Sequence, residues 1–84
     1  SRKSGAFTAK VVRVFASGVQ VRLDENGIEG FISSIALEGK FSFNQDLLTL
    51  KGKDISFELE QSIAVRLKSV DWSRKQIQFV PELG

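Results

Sequence analysis

Apolar and polar residues alternate with a period of two through much of the chain, and no segment sustains the period of a helix. Residues 7–15, FTAKVVRVF, place Phe7, Ala9 and Val11 on one face. The alternation then slips so that Val14 continues it, which predicts a β-bulge near Val12 and Arg13. Gly18 supplies a turn into a second strand, SGVQVRL, with Val19, Val21 and Leu23 on one face and Gln20 and Arg22 on the other. Asn26-Gly27 predicts a hairpin, because both residues accept positive φ. A third strand follows over 28–33, and SSIAL reads as one capped helical turn. Residues 38–62 form a separate section in which LLTL and ISFEL flank KGKD, with Gly52 at the turn. This predicts an inserted hairpin with Leu48, Leu50, Ile55, Phe57 and Leu59 available for burial and Phe41 and Phe43 anchoring it. Ile63, Val65, Leu67 and Val70 mark a further strand that also slips phase. DWSRKQ is a polar turn around Trp72, and Ile77 and Phe79 mark a last strand that Pro81 ends. The expected architecture is all-β: five barrel strands, a helical turn after the third, and a hairpin inserted before the fourth.

Composition narrows the chemistry. At 84 residues the chain has room for one domain, expected over 6–84, with 1–5 as a linker or domain edge. Cysteine and histidine are both absent, which excludes disulfides, thiolate or imidazole metal sites and His-based catalysis. The absence of Met and the start at Ser1 fit either removal of an initiator Met or a domain cut from a longer protein, and the second is the expectation. No apolar run approaches the roughly 20 residues of a membrane span, so no membrane partner is expected and a cytoplasmic location is. Catalysis within the chain is not expected. Asp24 and Glu25 read as solvated loop residues, and Glu58 and Glu60 as the solvent side of a strand.

The net charge is only +2, but its placement is uneven. Residues 1–23 hold Arg2, Lys3, Lys10, Arg13 and Arg22 with no acid, and residues 24–38 hold four acids with no base. A second basic group, Arg66, Lys68, Arg74 and Lys75, is interrupted only by Asp71. Basic segments separated by acidic loops give a one-sided potential when they meet in space.

Five strands with a helical turn after the third match the five-stranded oligonucleotide-binding (OB) barrel. Val11, Val14, Gly18, Val21 and Leu23, followed by NGIEGFISSIAL and later by VRLKSVDWSRKQIQF, resemble the S1-type RNA-binding domain over roughly residues 6–80. SGVQVRLDENGIEGFI, an insertion containing LKGK, and then IAVRL are similar to the C-terminal S1-type domain of bacterial exoribonuclease II. The resemblance implies a module that clamps single-stranded RNA beside cold-shock-type domains and a catalytic domain that degrades RNA from the 3′ end. It implies magnesium for that catalytic domain and no cofactor in this one. Of the RNA-facing positions that the resemblance carries over, an aromatic before the strand-two glycine is replaced by Ser17, and a second aromatic by Gln20. A His on strand three is replaced by Ser33. Asp71 of the closing turn is kept, and the basic residue before the last strand falls at Lys75 or Gln76.

Losing two rings removes stacking worth roughly 1–3 kcal/mol per base unless others compensate. Phe15, Phe31 and Trp72 are the candidates, each with core or edge packing as the competing role. Because the first strand of this barrel type pairs with the fourth, Lys10 and Arg13 are expected near Arg66 and Lys68, with Arg22 alongside. The candidate RNA-binding set is Lys10, Arg13, Phe15, Ser17, Gln20, Arg22, Phe31, Ser33, Asp71, Trp72, Arg74 and Lys75. Two other readings are a barrel that docks on neighbouring domains through residues 38–62, and a stand-alone translation factor of the same fold.

Overall fold

The first three alternating stretches pair as an antiparallel meander. In a computed structural model that describes residues 5–37 and 39–82, β1 (Ala6–Phe15) lies against β2 (Gly18–Leu23), and β2 against β3 (Glu29–Ser33). The β1–β2 register passes from Val11 opposite Val21 to Arg13 opposite Gln20, so Val12 is an extra residue. This bulge reverses the facing of everything after it. Val14 turns inward, and Arg13 and Phe15 turn out. The backbone N–H and carbonyl of Val11 meet Gln61 O at 3.0 Å and Glu60 N at 2.8 Å, so the start of the bulge is also where the later chain is pinned. The hairpin at Asn26-Gly27 closes with Leu23 N–H donating to Ile28 O at 2.8 Å, Asn26 Oδ1 accepting from Ile28 N–H at 3.0 Å, and Gly27 at φ +75°.

After β3, Ser33 Oγ accepts from Ile35 N–H at 3.2 Å and caps the single 3₁₀ turn Ser34–Ala36. Ser34 donates from both its backbone and its hydroxyl to the Ser17 carbonyl, at 2.9 and 3.0 Å, tying this turn to the β1–β2 corner.

The inserted section is larger than one hairpin. The expected hairpin around Gly52 is β5 (Thr49–Lys51) with β6 (Ser56–Glu58), and β4 (Ser42–Asn44) adds a third strand to it. Leu50 and Phe57 are each 1% exposed and extend the core. Phe41 stacks on Phe57 with ring centroids 6.4 Å apart and lies over Gly52, where a Cβ would come within 2.6 Å of the ring. Phe41 and Phe43 both pack against the core, as anchors should. Leu48 and Leu59 are exposed instead of buried. Leu48 sits in the β4–β5 turn with φ +52°, and Leu59 lies past the end of β6, just before Glu60 at φ +69°.

β7 (Ser62–Asp71) runs antiparallel to both β1 and β8 (Gln76–Pro81), and β8 meets β3 in parallel at Phe31 and Gln78. The result is a closed barrel in the order β1-β2-β3-β8-β7. Its core is Ala9, Val11, Val14, Val19, Val21, Leu23, Ile32, Val65 and Phe79. Phe79 fills the interior only because Gly30 carries no side chain, since a Cβ there would lie 2.4 Å from the ring. A second register shift, between Leu67 and Ser69, matches the predicted phase slip in β7. Leu67 is 52% exposed because the paired stretch of β1 ends at Ala6, opposite Arg66.

That register corrects one expectation. Lys10 faces Ser62 and Arg66 faces Ala6, so Lys10 and Arg13 lie at the opposite end of β7 from Arg66 and Lys68. Arg66 is engaged with Glu82, with Nη2 donating to Oε2 at 3.1 Å. Antiparallel pairing brings the two basic groups to the same barrel but not to one stripe.

Candidate nucleic-acid interface

The pairing registers place outward residues of the barrel in rows. The central row runs Arg13, Gln20, Phe31, Gln78 and Ser69 across β1, β2, β3, β8 and β7. With strands about 4.8 Å apart, such a row follows the barrel surface for about 19 Å. One step towards the Asn26-Gly27 hairpin lie Lys10, Arg22 and Glu29; one step the other way lie Phe15, Gly18 and Ser33.

The rings absent from strand two reappear on its neighbours. Phe15 at the end of β1 and Phe31 on β3 are 6.2 Å apart between centroids and tilted by 44°. This lies within the range of a genuine aromatic pair. The Phe31 ring crosses directly over Gly18, where a Cβ would sit 2.9 Å from the ring and 2.1 Å from the Ile32 carbonyl. Gly18 also has φ +149°, so glycine is needed there for conformation as well as for space. Phe15 is 42% exposed and Phe31 is half-buried, so the pair is a wall open to solvent on one side.

Electrostatics on this face centre on Glu29. Its Oε1 accepts from Gln20 Nε2, and its Oε2 from Arg22 Nε at 3.1 Å. The Arg22 and Gln20 bonds hold its carboxyl below the ordinary value of 4.5. Arg22 is thereby committed to an acid, and Gln20 presents its amide nitrogen sideways along the sheet. Glu29, Gln20 and Phe31 border a cleft of about 230 Å³ that Lys75 and Gln76 close from the β7–β8 side. A shallower cleft of about 520 Å³ continues across β8 and β7, with Gln76 shared between them and Lys68, Ser69, Arg74 and Gln78 along it.

The β7–β8 turn is built by Asp71. Its Oδ1 accepts from the Ser73 hydroxyl at 2.8 Å and from Arg74 N–H at 3.2 Å, and these bonds lower its pKa from the ordinary 3.8. Arg74 Nε approaches Oδ2 at 3.9 Å, and Lys75 takes φ +54° to re-enter β8. Trp72 projects from this turn with 81% of its surface exposed. Of the sequence-selected residues, Lys10, Arg13, Phe15, Gln20, Arg22 and Phe31 share the outer barrel face. Ser17 sits at the β1–β2 corner, Ser33 is spent on a cap, and Asp71, Trp72, Arg74 and Lys75 belong to the turn bordering the two clefts.

No family model matches the sequence, and no curated protein does. Two solved structures of Mycoplasma genitalium RNase R are similar to the fold: the apo form and a complex with ribose-methylated single-stranded RNA. Each superposes with a TM-score of 0.81 over 92% of this chain, at 20% sequence identity. The fold is a five-stranded OB barrel. The chain spans 12% of the length of those RNase R chains, so the shared unit is one barrel out of a much longer protein.

Within this OB barrel, Glu29 and Gln78 are face residues that motif reading passes over, while Gln76 is one of the two positions it offered before the last strand. Alternation would have found Glu29. Outward Phe31 implies outward Glu29 two residues earlier, whereas its place opposite Arg22 requires a four-residue loop over 24–27 and not a two-residue turn at Asn26-Gly27. Gln78 depends on the parallel β3–β8 contact, for which the sequence carries no local signal.

Proposed function

We propose that this chain is a single-stranded RNA-binding module that helps to clamp RNA for a 3′–5′ exoribonuclease of the exoribonuclease II and RNase R type. The observation that carries this reading is the Phe15–Phe31 ring pair, set among polar and cationic side chains on the outer row of the barrel. Bases would stack against Phe31 and Trp72, while Arg13, Lys75 and Lys68 follow the backbone. In this reading magnesium serves the catalytic domain of the parent protein; among the described residues no group of three or more His, Cys, Asp or Glu side chains gathers. The exposed Leu47 and Leu48 at the β4–β5 turn favour a second role for the insertion, as the surface that abuts other domains of that parent.

The test is anisotropy titration of labelled single-stranded RNA with wild type and Phe31→Ala across a salt series. Stacking at 1–3 kcal/mol per base predicts that Phe31→Ala weakens binding by about 5- to 150-fold. Each phosphate contact contributes a slope of about −0.7 in log K against log salt, so three cations give about −2. Absence of binding up to millimolar protein at low salt overturns the reading.

A further inference from the structure

The proposed RNA face carries a carboxylate one step from its central row, towards the Asn26-Gly27 hairpin. A surface that only tracked the phosphate backbone would be better without Glu29, since like charges repel. Its side chain is 38% exposed, and it borders the 230 Å³ cleft between the Phe31 ring and Lys75. That volume is below the roughly 300–1,000 Å³ of pockets for drug-sized ligands and suits one planar heterocycle.

We propose that this cleft is a base-reading subsite that selects guanine in single-stranded RNA, an inference that rests on the RNA-binding reading and deepens it. A carboxylate has about four lone-pair sites. Gln20 uses one on Oε1 and Arg22 one on Oε2, which leaves an acceptor on each oxygen. Guanine alone among the four bases presents two adjacent donors, N1–H and N2–H, to such a pair. Adenine and cytosine set a ring acceptor beside their amino group, which opposes a carboxylate oxygen. Uracil offers a single N3–H between two carbonyls. With the Watson–Crick edge of guanine on Glu29, its O6 is left free of the carboxylate in a cleft that Lys75 also lines. Phe31 supplies the stacking wall. Arg22 and Gln20 act as positioning residues: they fix the carboxylate plane, and the ionised carboxylate makes its bonds to the base charge-assisted.

The test uses the 84-residue chain. Anisotropy at fixed low salt compares a labelled oligoadenylate with the same strand carrying one central guanosine or one central inosine, which keeps N1–H and lacks the amino group. Wild type is expected to favour the guanosine strand by about 5- to 150-fold, the range of one bidentate base contact, with inosine intermediate. Glu29→Gln, which cannot accept twice, is expected to lose that preference and to bind oligoadenylate more tightly because a negative charge is gone. Equal wild-type affinity for the three strands, or a preference that survives Glu29→Gln, overturns the base-reading site while leaving RNA binding in place. If no strand binds a chain shown to be folded by circular dichroism, RNA binding itself falls, and this inference falls with it.

Discussion

Asp71, half-buried, and Glu29, exposed, are both acids whose charged form is favoured by local bonds, and they do different work. Asp71 closes a turn through the Ser73 hydroxyl and the Arg74 amide, whereas Glu29 ties β3 to β2 through Arg22 and Gln20. Because both folded-state pKa values lie below their ordinary 3.8 and 4.5, the unfolded chain binds more protons than the folded one in that window. Their stabilisation is therefore complete above the ordinary values and is lost as pH falls through the folded ones. Thermal midpoints should drop as pH falls below the ordinary value of 4.5. Asp71→Asn keeps both acceptor bonds without the titrating charge, so its midpoint should fall less steeply over the same range. A wild-type profile in that variant would show that the ionised cap adds nothing. At this scale some of the site was legible and some was not. Phe15 and Phe31 were identifiable as outward candidates from alternation alone. Their pairing over Gly18 was not, because it depends on where three strands meet.

The two bulges and the insertion decide which side chains each strand offers. Without the extra residue at Val12, the strict period of two would point Arg13 and Phe15 inward and Val14 outward. The slip in hydrophobic phase was visible because Val14 must be buried, so this part of the fold was readable from the chain. The third strand of the insertion was not. β4 is three residues long, and short strands carry too few alternations to register as a pattern. Phe57 joins the two bodies, being 1% exposed, within the barrel core, and stacked with Phe41. Truncating a buried Phe to Ala costs about 3–5 kcal/mol, a large share of the 5–15 kcal/mol that stabilises a typical domain. Phe57→Ala should therefore lower the urea midpoint sharply. A loss below about 1 kcal/mol would mean that the insertion is attached to the barrel rather than part of its core.

For the molecule as a whole, the weak point of the closed wall is the one place where strands run in parallel. β3 and β8 are separated by more than forty residues of chain and share a single paired position, Phe31 with Gln78. β1 and β7 lie still farther apart in sequence but are held by five registered pairs, so the singly paired β3–β8 edge should be the last to form in folding and the first to open in the native state. The central row of the proposed RNA face crosses that edge. A strand of RNA lying along the row would act as a staple across it. Amide hydrogen exchange should then slow at the β3–β8 edge when RNA is added, by a factor set by ligand concentration over Kd, while amides between β1 and β2 change less. Protection confined to other strands would move the RNA path off this row. The same closure that completes the barrel therefore lets occupancy of the face be read as a clasp on its hinge side.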